Sequence, residues 1–307
     1  MDRRKPTPSE YALPGERTYD INHFVTTLHT KGFPTSERNL RHFAEIVSST
    51  QGYPTGLLPR LAKLATWISP DTFYANLEKI EQVVGDLVDG EDYYFASDAS
   101  DRKSGSGIWI YQQLLNSKSN NTLRPAKGIL SQREILKASL LNQDELNQQF
   151  PDGTKILVVD DWAVKKSSQI QELLYFLPET CKATVVLMHT SKQARAEILR
   201  MPQVAQLVVV GEEIPTSADV LTPDDHRFIG SKLFSYRYRK WSNDEIQRIH
   251  NDNFALLGGW WMGPYDRTPR CFTGSETTKD EIELPALLSP TMRRAYRREG
   301  RHSPHLA

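Results

Sequence analysis

The sequence predicts an α/β fold on a parallel sheet, with a helical module before it and an irregular Trp/Pro-rich segment after it. Two observations carry the sheet. Residues 156–159, 183–188 and 206–210 read ILVV, ATVVLM and QLVVV, near-continuous apolar runs of the kind found in strands covered on both faces. Helical periods separate them: Ile170, Leu173, Leu174 and Leu177 fall at i, i+3, i+4 and i+7, and SKQARAEIL follows the next run. Strand and helix in alternation mean parallel strands joined by crossover helices.

Taken in order, residues 1–20 are polar and proline-containing and read as a flexible arm without the apolar centre of a signal peptide. Residues 21–90 read as a helical module. Leu40, Phe43, Ala44 and Val47 share one helical face, and Leu57, Leu61, Leu64 and Ile68 share another in a helix expected over 56–68. Ser69-Pro70-Asp71 opens the next helix, with a capping serine and a proline at the first helical position, and Phe73, Leu77, Ile80, Val84 and Leu87 line its face. Such a module is a cover for the core or a docking surface for a protein partner.

The core is expected over 91–235. Tyr93-Tyr94-Phe95-Ala96-Ser97 has strand character and is followed by the loop DASDRKSGSG. Residues 108–115 read as a helix, SKSNNTLRPAKG as a polar connection, and the chain from Ser131 as helical again. Pro151–Gly153 makes a turn into the run that ends in Asp160-Asp161, and Thr222-Pro223-Asp224-Asp225 starts a late helix. Residues 236–290 hold a capping box at Ser242–Glu245 and the pair Trp260-Trp261. Residues 291–307 form a basic tail, in which the stretch from Met292 has five arginines against one acid.

Bulk numbers narrow the classes. With 38 basic and 38 acidic residues the net charge is zero, so any electrostatic site is local. No apolar run approaches the roughly 18 residues of a membrane helix. Cys181 and Cys271 form neither CxxC nor a zinc pattern, which suits a reduced, cytoplasmic protein.

The chemistry gathers at strand ends, where parallel sheets bind ligands. Adjacent carboxylates at Asp160 and Asp161 suit paired hydroxyls, as on a ribose, or a magnesium ion; the alternative is a helix cap and a solvated loop acid. Lys165, Lys166, Ser167 and Ser168 follow at a helix N-terminus, where backbone N–H groups and the dipole favour an anion; a solvated helix face is the alternative. Lys103, Ser104, Gly105, Ser106 and Gly107 precede another helix, with small residues that let amides approach a phosphate; the alternative is a flexible turn. His189 follows a strand end, as a catalytic residue or a satisfied loop histidine, and Glu212-Glu213 end another strand, lining the crevice or simply exposed. Trp260-Trp261 stack a base or fill a local core. The arginine-rich tail contacts nucleic acid or is simply solvated.

ILVVDDWAVKKSSQ resembles the phosphate-binding loop of type I phosphoribosyltransferases: apolar residues, two acids, two apolar residues, then a Ser/Thr-rich turn. SDASDRKSGSG falls where that family has its pyrophosphate loop. The arrangement is also similar to the divergent phosphoribosyltransferase-like proteins of bacterial conflict (defence) systems, whose C-terminal Asp-Asn and Pro-Tyr have counterparts in Asn251-Asp252-Asn253 and Gly263-Pro264-Tyr265. The resemblance implies that Asp160 and Asp161 contact the ribose hydroxyls of a phosphoribosyl diphosphate. Lys165 to Ser168 then hold the 5'-phosphate, and Lys103 to Gly107 hold the diphosphate with Mg2+. The reaction implied is transfer of ribose 5-phosphate through an oxocarbenium-like state, in a setting of antiviral defence. One position departs from the family: Lys166 stands about where its loop has glycine. Lysine can meet the phosphate as a point charge. The same departure suits an inactive nucleotide sensor or interaction protein. A third reading is a receiver-like signalling domain, for which KILVVDD would be the first strand.

Overall fold

The structure, a computed structural model, describes residues 14–33, 36–88, 92–97, 106–116, 127–131, 134–135, 137, 140–163, 168–175, 177–229 and 256–259. The chain divides into two compact units. One is helical, built from residues up to 67 together with a later stretch from 215 to 259; the other carries the sheet within 68–214.

The helical unit contains α1 (Pro14–Thr30), α2 (Glu37–Ser49), α3 (Leu57–Leu64), β1 (Ala65–Ile68) and, after the sheet unit, two short helices and β7 (Leu256–Gly259), which pairs with β1. Leu40, Phe43, Ala44 and Val47 are all buried, as their spacing on α2 requires. Two expectations are corrected here. A helix begins at Pro14, inside the stretch expected to be an arm, because Asp20 on α1 is a buried partner: it accepts hydrogen bonds from Tyr53 Oη (2.6 Å) and the Gly56 amide (2.7 Å). The helix expected over 56–68 stops at Leu64 and becomes β1, where Thr66, Trp67 and Ile68 bring β-branched and aromatic residues.

Polar groups in this unit serve its joints. Lys31 Nζ donates to the carbonyls of Ala62 (2.8 Å), Lys63 (3.1 Å) and Ala65 (2.6 Å), closing the C-terminal end of α3. Burial lowers the pKa of this ammonium. Arg60 on α3 donates to both oxygens of Asp225, from Nε (2.7 Å) and Nη2 (2.8 Å). Asp225 is fully buried and also closes the capping box of the later helix Pro223–Phe228, accepting from the Thr222 amide (2.8 Å). The bidentate pair therefore ties the returning chain to α3.

The sheet unit runs α4 (Pro70–Val88), β2 (Tyr93–Ser97), α5 (Ser106–Asn116), β3 (Gly128–Ser131), α6 (Gln143–Gln149), β4 (Lys155–Ala163), α7 (Ser168–Tyr175), β5 (Lys182–Thr190), α8 (Lys192–Ile198) and β6 (Val204–Val209). The helical unit's late helices are then α9 (Ser217–Val220) and α10 (Pro223–Phe228). The five strands lie in the order β3-β2-β4-β5-β6, all parallel. The apolar runs are its centre: Ile156, Leu157, Val158 and Val159 on β4 and Val185, Val186 and Leu187 on β5 are buried. β3 corrects the expected polar reading up to residue 128 and the helical start at Ser131, since residues 128–131 pair in register with β2; residues 134, 135 and 137 are helical, as expected. Ser69 caps α4 as expected, its Oγ accepting from the Thr72 amide (3.1 Å). This helix, expected with the N-terminal module, falls in the sheet unit, where it packs on β5.

Candidate functional site

The strand order fixes where a crevice forms. From β2 the chain crosses outward to β3, then returns to place β4 on the other side of β2, and continues outward through β5 and β6. The direction of winding therefore reverses between β2 and β4. At such a switch point the two flanking connections leave on opposite faces and open a crevice beyond the carboxyl ends. In sequence, β2 and β4 are the strands that precede the two loops singled out above.

β4 brings Asp160 and Asp161 to this end, but it does not stop at them. It runs on to Ala163, with Trp162 paired to His189 and Ala163 to Thr190 of β5. The expected strand of residues 156–159 is thus extended by residues whose polarity suggested a loop. The ladder to β5 continues because Thr190 Oγ1 and the Ser191 amide both donate to the Ala163 carbonyl at 3.0 Å. Asp160 and Asp161 are 6% and 5% exposed. The Asp161 amide donates to Asp160 Oδ1 (2.9 Å), and the Trp162 amide donates to Asp161 Oδ1 (2.9 Å). Each carboxylate is thus held by the backbone of the residue after it.

α5 meets β4 at the same place. A Cβ at Gly107 would stand 2.4 Å from the Val159 carbonyl oxygen and 3.9 Å from Asp160 Oδ1. The first turn of α5 therefore rests directly on β4 beside the acid, at a separation that only glycine permits. Further along the helix, Tyr111 stacks on Phe95 of β2, with ring centroids 3.7 Å apart and planes 12° from parallel. Burial raises the pKa of Tyr111, helped by its hydrogen bond with Tyr93, which burial also raises. The aromatic pair fixes the body of the helix while Gly107 admits its amino end.

Of the residues singled out from the sequence, Asp160 and Gly107 come together, and Asp161 follows Asp160 in the strand. Ser106 and Ser168 are the first residues of α5 and α7. Lys103, Ser104, Gly105, Lys165, Lys166 and Ser167 lie outside the described residues, as do Trp260-Trp261, the capping box at Ser242–Glu245, Asn251-Asp252-Asn253, Gly263-Pro264-Tyr265, Cys271 and the basic tail. Glu213 lies 3.8 Å from Lys192 in an exposed ion pair. Cys181 is buried and free, and burial pushes its thiol up to about 11.

His189 is more than a local strand-end residue. It is 5% exposed, with Nδ1 2.9 Å from the Glu212 carbonyl and Nε2 3.1 Å from Asn76 Nδ2 of α4. Asn76 was missed among the polar positions of an amphipathic helix; its only sequence signal is an amide on the helix's apolar side, between Phe73 and Ile80.

Among the described residues there is no group of three or more His, Cys, Asp or Glu side chains arranged to hold a metal ion. Nor is any helix among them long and apolar enough to cross a membrane. Compared with known proteins, the chain matches no family model, no curated protein and no solved structure. Its geometry gives an α/β fold with a five-stranded parallel sheet and N-terminal helices.

Proposed function

We propose that the crevice beyond β2 and β4 binds a phosphoribosyl diphosphate or a phosphoribosylated nucleotide. The observation that carries this reading is the close approach of α5 to β4: Gly107 lies against Val159 and Asp160, so a helix amino end and the buried Asp160 carboxylate meet at the switch point, with Asp161 the next residue of the strand. The helix end favours the anionic part of such a ligand, and carboxylates suit the sugar hydroxyls. Residues 103–107 and 165–168 flank this place in sequence, and the resemblance assigns their lysines, serines and glycines to the two phosphate groups.

Magnesium fits this reading as an ion carried by the ligand. It keeps several waters and takes one or two carboxylates beside substrate phosphates, so it needs no preformed protein cage. The acid pair is compatible with that and with no closed metal centre. Phosphoribosyl transfer would place positive charge on the ribose ring, where two nearby carboxylates stabilise it. The antiviral setting rests on the sequence resemblance alone.

A receptor without turnover is the second reading, favoured by Lys166 at the loop position where the resembled family has glycine. What weighs against the receiver-like alternative is chain order: β4 is the third strand of the parallel sheet, after β2 and β3, rather than the first.

Calorimetric titration with phosphoribosyl diphosphate and magnesium tests the reading, with ribose 5-phosphate and common nucleotides as comparisons. The expected result is binding that disappears in Asp160→Asn/Asp161→Asn while the circular dichroism spectrum is kept. Undiminished affinity in a folded double variant would remove the site assignment. Release of diphosphate on adding acceptors separates an enzyme from a receptor.

A further inference from the structure

The strand-end histidine offers an inference independent of the phosphoribosyl reading. We propose that His189 is a proton-operated latch that holds α4 and the turn after β6 against the carboxyl end of β5. A carbonyl oxygen only accepts, so the contact with the Glu212 carbonyl at 2.9 Å puts the ring proton on Nδ1. In the neutral ring Nε2 is then an acceptor, and it receives the Asn76 amide at 3.1 Å. The orientation of that amide is set from its other side, where Lys79 Nζ faces Asn76 Oδ1 at 3.5 Å. Donors therefore run in one direction, from Lys79 through Asn76 and His189 to Glu212.

Nothing in this chain tolerates a second proton on the ring. Protonated Nε2 would confront the Asn76 NH2 group. Flipping the amide would cure that contact and turn the same NH2 toward the Lys79 ammonium. The ring and the amide pack against the backbone of Gly211, where a Cβ would stand 2.6 Å from His189 Cε1, 2.6 Å from the Met188 carbonyl and 2.8 Å from Asn76 Nδ2. The charged groups around the ring are Lys79 on α4 and Glu212 in the turn after β6. On β4 its register neighbour is Trp162, preceded by Asp161. Burial lowers the histidine's pKa and Lys79 adds to this, against the opposing pull of Glu212. Protonation thus breaks the link to Asn76 first, and α4 loses its polar anchor on the sheet.

The test is an NMR titration of the His189 ring in the full chain, combined with hydrogen–deuterium exchange of α4 corrected for the intrinsic pH dependence of exchange. The expected result is an Nδ1–H tautomer at pH 7.5, a midpoint below the ordinary histidine value of about 6.5, and loss of α4 protection over the same pH range. Asn76→Asp supplies an acceptor for the protonated ring; it should move the midpoint upward and keep α4 protected in acid. A midpoint at or above the ordinary value in the unmodified protein would overturn the latch. So would α4 protection that does not change across the titration.

Discussion

The two units bury charge and polarity for different ends. In the helical unit three charged side chains close joints. Asp20 gathers Tyr53 and Gly56, Lys31 terminates α3, and Asp225 serves Arg60 and its own helix cap at once. In the sheet unit the interior strands are apolar over most of their length, and the described residues buried at the carboxyl end include the polar side chains of Asp160, Asp161, His189, Thr190 and Ser191. Burial of a charged group is costly in either place. Where its partners complete a cap or a turn, architecture accounts for that cost. Where it stands at the carboxyl end of a parallel sheet beside a close-packed helix end, the proposed binding would account for it.

The largest expected effect lies in the helical unit. Asp225→Ala strands the Arg60 guanidinium and opens the cap of α10, which should cost about 3–5 kcal/mol. Chemical denaturation read through near-ultraviolet signals of the helical unit measures this. A loss under about 1 kcal/mol would mean that the pair is not the joint described, since exposed ion pairs contribute at that level.

Next comes Gly107→Val in the sheet unit. With the Val159 carbonyl 2.4 Å from the new Cβ, α5 must shift. Overpacking of this kind costs about 1–3 kcal/mol. The comparison is sharpened by reading ligand affinity as well: Gly107→Val should weaken binding in protein that is still folded, whereas Asp225→Ala should leave the affinity of folded protein unchanged.

Acidification should follow with a smaller effect. His189 has a folded pKa below its unfolded value, so between the two the unfolded chain binds more protons. Its contribution is therefore complete above about pH 6.5 and is lost as pH falls through the lowered folded value. Urea midpoints across this range should decline toward acid, and less steeply in His189→Gln.

The smallest effect belongs to Lys31→Met, which keeps the aliphatic stem and removes the ammonium from the carbonyls of Ala62, Lys63 and Ala65. A loss of about 1–2 kcal/mol is expected in the same denaturation experiment, as for hydrogen bonds from a charged donor.

The strands with long apolar runs were legible in sequence because both faces of β4 and β5 are covered. β3 was not: GILS is four residues long at a sheet edge, with Ile129 exposed. The change from α3 to β1 was hidden because Leu64 and Ile68 continue the helical spacing across a junction that only backbone pairing defines. At the site, the acid pair was legible as chemistry. Its place inside a strand was not, because Asp160-Asp161-Trp162 reads as a polar exit and the ladder to β5 holds it extended. Gly107 was noticed as a small residue near a phosphate. Its contact with Val159 joins residues far apart in sequence, so no local pattern records it. The contact between Asn76 and His189 was hidden for the same reason.

Hydrogen–deuterium exchange with and without phosphoribosyl diphosphate and magnesium tests the central claim most directly, because it maps where the ligand acts. The account predicts added protection in the first turn of α5 and at the carboxyl end of β4 around Asp160 and Asp161, with the α3–α10 joint unchanged. Binding whose protection falls elsewhere and leaves both of those segments unaltered would contradict it.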